Sequence, residues 1–118
     1  MTGGRLLIVN ADDFGYTRDV NEGIVEAHLR GIVTATTLMA TGRAFDHAVG
    51  LARRHPTLDV GCHLTLLGAA SALPPFGPLP ASPAELAWRV AAGRIDAAAE
   101  LRAQVRKAVE AGLRPTHL

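Results

Sequence analysis

Lysine is nearly missing from this chain. Lys107 is the one lysine among twelve basic residues, and eleven acidic residues leave a formal net charge of +1. Such a balance offers no basic stripe for nucleic acid. Cysteine is as scarce: Cys62 stands alone, which excludes an internal disulfide and a cysteine-based zinc centre. Long apolar runs are lacking too. None approaches the ~20 residues that cross a bilayer, so no membrane partner is expected. Arg5 is followed by only Leu6-Leu7-Ile8-Val9 before Asn10, with no small-residue cleavage site after a long apolar stretch. The N-terminus therefore does not read as a signal peptide, and a cytoplasmic chain is expected. No Walker loop, GxGxxG or GxSxG is present, and Ser71 and Ser82 lack the context of a nucleophile. What the chain does hold is apolar substance. At 118 residues and 48% hydrophobic it can build a real core, as one domain or part of one.

Leu6 to Val9 has the pattern of a strand covered on both faces, ending at the turn-prone Asn10-Ala11-Asp12-Asp13-Phe14-Gly15. A helix is predicted from about Asp19 to Arg30, with Asp19 and Glu22 spaced as a capping box and Gly31 placed for positive φ. Ile24, Val25, Ala27, His28 and Leu29 form its apolar stripe. A second strand follows over about Val33 to Ala40. Ala44, Phe45, Ala48, Val49 and Ala52 then repeat at helical spacing up to Arg54, before His55-Pro56. The third strand covers about Leu58 to Leu64. Gly68 to Pro83 is a Pro/Gly-rich loop of a length that is usually functional or mobile. Helices are predicted over Pro83 to Ala92 and Asp96 to Ala111, with Gly112 as the stop. Arg114 to Leu118 reads as the start of a fourth strand.

This alternation implies an α/β fold of parallel strands with crossover helices. Chemistry-bearing groups should then gather past the C-terminal ends of the strands. A sheet that ends inside its fourth strand leaves an unpaired edge, so we expect a truncated chain, and a homodimer of such fragments is one way to cover that edge.

Asp12 and Asp13 follow the first strand. Adjacent carboxylates repel each other unless a cation or proton relieves them. One could bind a metal while the other accepts a proton; the plain alternative is a turn or helix N-cap, where Asp is favoured anyway. His63 ends the third strand, on the same rim. A lone His there reads first as a structural hydrogen-bonding group, but beside Asp12 and Asp13 it begins a mixed N/O site for a divalent metal. Strand alternation sets Cys62 and His63 on opposite faces, against a nucleophilic dyad, and Cys62 reads as a buried apolar residue. Gly61 allows close approach of backbone or ligand. His117 could support the same rim indirectly. His28, His47 and His55 are assigned to surface or packing, and Trp88 and Phe76 to packing or a pocket wall.

Asn10-Ala11-Asp12-Asp13-Phe14-Gly15 resembles the motif of the YdjC-like carbohydrate deacetylases. Asn21-Glu22-Gly23-Ile24, Gly31 to Leu38 and Gly61-Cys62-His63-Leu64 continue the likeness in order, and Pro115-Thr116-His117-Leu118 matches the opening of the family's P-T-H-L-D-S-H segment. About Ala69 to Leu113 matches poorly. The resemblance implies a (β/α)-barrel, of which residues 1–118 would be the N-terminal part. It also implies a divalent cation, Mg²⁺ first and Zn²⁺ as the alternative. Asp13 and His63 match two metal ligands, and Asp12 matches the general base. The third ligand, the last His of the segment, would fall past Leu118. The implied reaction is hydrolysis of an N-acetyl group on an amino sugar or oligosaccharide, with the fragment itself inactive. Two competitors stand beside it. A glycosidase or phosphoryl-transfer enzyme would also use two carboxylates, though adjacent Asp residues hardly flank a glycosidic bond from ~5 Å or more apart. A non-catalytic carbohydrate-binding or regulatory protein could retain the fold.

Overall fold

The computed structural model describes residues 5–75 and 77–118. Phe76, and with it the reading of that residue as packing or a pocket wall, lies outside them. Three short strands, β1 (Asn10–Phe14), β2 (Ala35–Leu38) and β3 (Asp59–Cys62), form one parallel sheet in the order β1-β2-β3. Helices α1 (Arg18–Arg30) and α2 (Phe45–Arg54) make the two crossovers, and α3 (Pro83–Ala91) and α4 (Ala97–Glu110) follow β3. The α/β class with a parallel sheet and flanking helices is what the alternation predicts. No helix among the described residues is long and apolar enough to cross a membrane.

The middle strand is buried along its whole length, Thr36 and Thr37 included. Covered on both faces, it cannot leave a hydroxyl unpaired at low cost. Thr36 accordingly donates to the carbonyl of Ala11 at 2.6 Å. Phe14 and Leu38 are fully enclosed, with Ile24 and Val25 from α1, Ala48, Val49, Leu51 and Ala52 from α2, and Ala108 from α4 in the same cluster. Ala44, Phe45, Ala48, Val49 and Ala52 thus fill the core at the spacing the sequence carries.

Five expectations need correction. The first strand is Asn10–Phe14 rather than Leu6–Val9: Leu6, Leu7 and Ile8 are 98, 78 and 77% exposed, and pairing with β2 begins only where Thr34 and Ala35 donate to the carbonyl of Val9. An apolar run becomes a buried strand only where something covers it, and the described residues do not cover this one. Helix α1 is capped by Thr17, whose hydroxyl accepts from the N–H of Val20; Asp19 lies in the first turn, where its charge suits the helix dipole. Gly31 has φ −118°, so it ends α1 without the left-handed conformation. Leu29 points away from the core and is largely exposed.

The segment 114–118 is not a strand, yet it lies along β3. Thr116 donates to the carbonyl of Val60 and the N–H of Cys62 donates to the carbonyl of His117 at 2.9 Å. Gly61 makes this approach possible, since a Cβ there would stand 2.6 Å from the His117 carbonyl oxygen.

Candidate functional site

Between β1 and β2 the pairing register slips. Ala11 faces Thr36 and Phe14 faces Leu38, so β1 spends one residue more than its partner. The extra residue is accommodated at Asp13, which takes φ +68°, the one non-glycine residue with positive φ among those described. Left-handed backbone is uncommon for a residue with a side chain, and Asp and Asn are among the few that adopt it. In a regular strand Asp12 and Asp13 would face opposite ways. The bulge re-aims them. Asp12 Oδ1 lies 3.9 Å and Asp13 Oδ1 3.7 Å from the same atom, Nδ1 of His63.

His63 arrives from the next element. It is the residue after β3, and its N–H donates to the carbonyl of Leu38, continuing the ladder. Thr37 joins the pieces from β2: its hydroxyl donates to Asp12 Oδ1 at 2.8 Å and stands 3.4 Å from His63 Nδ1. A second donor reaches the same oxygen, Nδ2 of Asn10 at 2.9 Å. Asn10 Oδ1 in turn lies 3.2 Å from Nε2 of His117, whose Nδ1 meets the Thr116 hydroxyl. His117 is therefore linked to Asp12 through Asn10 rather than touching it. A cavity of 480 Å³ lies against Asn10, Asp12, Thr37, His63 and His117.

Cys62 is buried, and burial pushes its thiol up from the ordinary value, which suits packing rather than nucleophilic attack. His28 bridges the carbonyl of Val33 and the hydroxyl of Thr57. His47 meets the Asn21 side chain, and His55 caps the C-terminus of α2. Trp88 is half exposed beside the Arg94 guanidinium.

Thr37 and Asn10 are the site residues that sequence reasoning passed over. Thr37 carried a signal, a hydroxyl in a strand destined for burial and so in need of a partner. Asn10 opens the motif that carries the family resemblance, but its residue type suggested no role beyond turn propensity.

Two carboxylates and an imidazole on a partly exposed rim make a mixed O/N donor set of the kind divalent cations take. Adjacent donors on one octahedral ion at ~2.1 Å stand roughly 3 Å apart, so Asp13 and His63, at 3.7 Å, would have to draw closer to grip such an ion. The set is partial. Among the described residues no group of three or more His, Cys, Asp or Glu could by itself hold a metal ion.

Fold and site together define an α/β protein of parallel β-α units whose ionisable side chains gather at the C-terminal ends of the strands, Asp12 and Asp13 within the last residues of β1 and His63 just after β3. The sequence model of the YdjC-like proteins matches residues 6–118, and the chain belongs to that family. It is 47% identical to a carbohydrate deacetylase of Brevibacillus brevis, over 95% of this chain and 47% of the relative. A carbohydrate deacetylase of Geobacillus stearothermophilus is 43% identical, over 97% of this chain and 48% of the relative. A crystal structure from Enterococcus faecalis, described as a cellobiose-phosphate cleavage protein, superposes with a TM-score of 0.78 at 36% identity, over 93% of this chain and 46% of that one. The chain spans about half the length of the curated relatives it matches.

Proposed function

We propose that residues 1–118 are the N-terminal part of a (β/α)-barrel carbohydrate deacetylase that removes N-acetyl groups from amino sugars or oligosaccharides in the cytoplasm. One observation carries the reading: Asp12 and Asp13, adjacent in sequence, converge on His63 from across the sheet. Asp13 and His63 would hold a divalent cation, Mg²⁺ first and Zn²⁺ as the alternative. When bound, such an ion polarises the amide carbonyl and makes water a better nucleophile. Asp12 takes the proton of that water. Thr37 and Asn10 both donate to Oδ1 of Asp12, fixing the plane of its carboxylate, and His117 steadies Asn10. The leaving amine needs a proton, which we assign to a histidine outside this chain, together with the third metal ligand. The chain by itself is expected to be inactive. Its partner is an N-acetylated sugar rather than nucleic acid or membrane, and a homodimer through an open sheet edge is part of the same proposal.

The neighbour described as a cellobiose-phosphate cleavage protein favours a second reading, glycoside cleavage. Carboxylates that close on one imidazole suit it less than carboxylates that flank a bond from ~5 Å or more. Incubating the full-length protein with an N-acetylated oligosaccharide separates the two. Acetate release without new reducing ends, abolished by Asp12→Asn, is the expected result. New reducing ends without acetate would establish the glycosidase, and saccharide binding with neither product would establish a binding protein.

A further inference from the structure

A second groove, of 740 Å³, opens at the same end of the sheet. Tyr16 lines it from the turn after β1, Met39, Thr41 and Arg43 from the loop after β2, and Leu67 and Leu79 from the Pro/Gly-rich loop. Its frame is rigid. The buried Asn21 side chain accepts from the N–H of Gly15 at 2.6 Å and donates to the carbonyl of Ala44 at 3.1 Å, stapling the two loops together. Ala44 also donates to the carbonyl of Gly15, and a Cβ on Gly42 would fall 2.1 Å from that same oxygen. Tyr16 and Arg43 are thereby held in register, with the guanidinium carbon 5.7 Å from the ring centroid.

That frame presents an aromatic ring that is 48% exposed, which contributes little to folding. Beside it stand a guanidinium with several N–H donors and the apolar side chains of Met39, Leu67 and Leu79. The Thr41 hydroxyl is buried without a hydrogen-bond partner among the described residues. A pyranose ring has matching chemistry: a C–H face that packs on an aromatic ring, and a rim of hydroxyls that accept from a guanidinium. A phosphate or carboxylate would call for more cationic charge than one arginine already lying against an aromatic ring. The groove also begins one turn from the chemistry, since the N–H of Tyr16 donates to the carbonyl of Asp13 at 3.0 Å.

We propose that Tyr16 and Arg43 form a subsite for a sugar ring neighbouring the one presented to Asp12. The proposal rests on the saccharide substrate inferred above. Its test is calorimetric titration of the full-length protein with N-acetylglucosamine oligomers, from monomer to tetramer, so that binding is read apart from acetate release. Affinity should rise with oligomer length, and Tyr16→Ala should remove that rise, on the order of tenfold for the tetramer. Tyr16→Phe should keep the length dependence, and Arg43→Ala should weaken it severalfold. Arg43 is exposed, so its variant carries the test if Tyr16→Ala does not fold. Length-dependent binding through Tyr16 without any acetate release would support the subsite while refuting the deacetylase. Wild-type affinity that ignores oligomer length, or a Tyr16→Ala variant that binds the tetramer like the wild type, would overturn the subsite.

Discussion

Residues 10–64 bury mainly carbon, with Phe14, Leu38 and Ala48 sealed between sheet and helices, whereas the arm from Thr65 to Glu110 is tied down by a polar knot. Helix α3 in that arm has no buried residue at all. The arm is anchored by α4, where Glu100 and Gln104 are 2 and 0% exposed. Glu100 accepts from the Ser71 hydroxyl, the N–H of Ala72 and the Gln104 amide. Gln104 also accepts from the N–H of Thr65 and donates to its carbonyl. Thr65 lies two residues past His63, so the knot holds the strand-end loop as well as the arm. The difference between the regions is one of tolerance. An apolar core loses stability by degrees as volume is removed, while a buried polar network fails when one member leaves its partners unsatisfied.

The largest expected effect lies in the carbon half. Leu38→Ala should cost about 2–5 kcal/mol, read from chemical denaturation, and should be insensitive to pH. A loss well below that range would show that β2 is not the centre of the core.

Glu100→Ala should cost about 2–3 kcal/mol, because it strands the Ser71, Ala72 and Gln104 donors. Burial pushes the Glu100 carboxyl up, but hydrogen bonds from Ala72, Gln104, Ser71 and Leu73 outweigh it and hold the group below its ordinary value. A carboxylate lowered on folding stabilises above its unfolded pKa, near ~4.3, and that contribution is lost as pH falls through the folded value. The wild type should therefore weaken below roughly pH 4 by more than Glu100→Ala does. Parallel acid profiles for the two would remove the knot from the account.

Asp13→Gly should have the smallest effect on the fold. Relief of left-handed strain, ~1–2 kcal/mol, is offset by the added freedom of glycine in the unfolded chain, ~0.5–1 kcal/mol. Thermal melting should show a protein as stable as the wild type or slightly more so. A clear loss of stability would mean that the carboxylate serves the fold rather than a ligand.

Periodicity made α2 legible, because its buried apolar residues recur at the spacing a helix needs, whereas α4 buries Glu100 and Gln104, which no apolar stripe marks. Asp96 caps α4 and Pro83 opens α3 where those helices were expected to begin. The order of parallel β-α units followed from alternation alone. The first strand was misplaced because Leu6 to Ile8 look like core and lie exposed. At α3 the Ser82 hydroxyl accepts from the N–H of Glu85 and the Glu85 carboxylate accepts from the N–H of Ala81, a near relative of the reciprocal cap expected of Asp19 and Glu22, while at α1 the Thr17 hydroxyl took that place. At the site, Asp12, Asp13 and His63 could be named from residue type and position, but their meeting could not be read off. It depends on a bulge, and a bulge is set by pairing with β2, which no local spacing records. Thr37 and Asn10 act through the same pairing, across strands and across the chain.

The central claim is a division of labour, with Asp13 and His63 holding a cation and Asp12 handling the proton. Calorimetric titration of the full-length protein with Mg²⁺, and then Zn²⁺, tests it most directly in Asp13→Ala and Asp12→Asn. Binding should disappear in Asp13→Ala and persist in Asp12→Asn, whose acetate release is lost. Equal loss of metal in both variants, or full binding in Asp13→Ala, would contradict it.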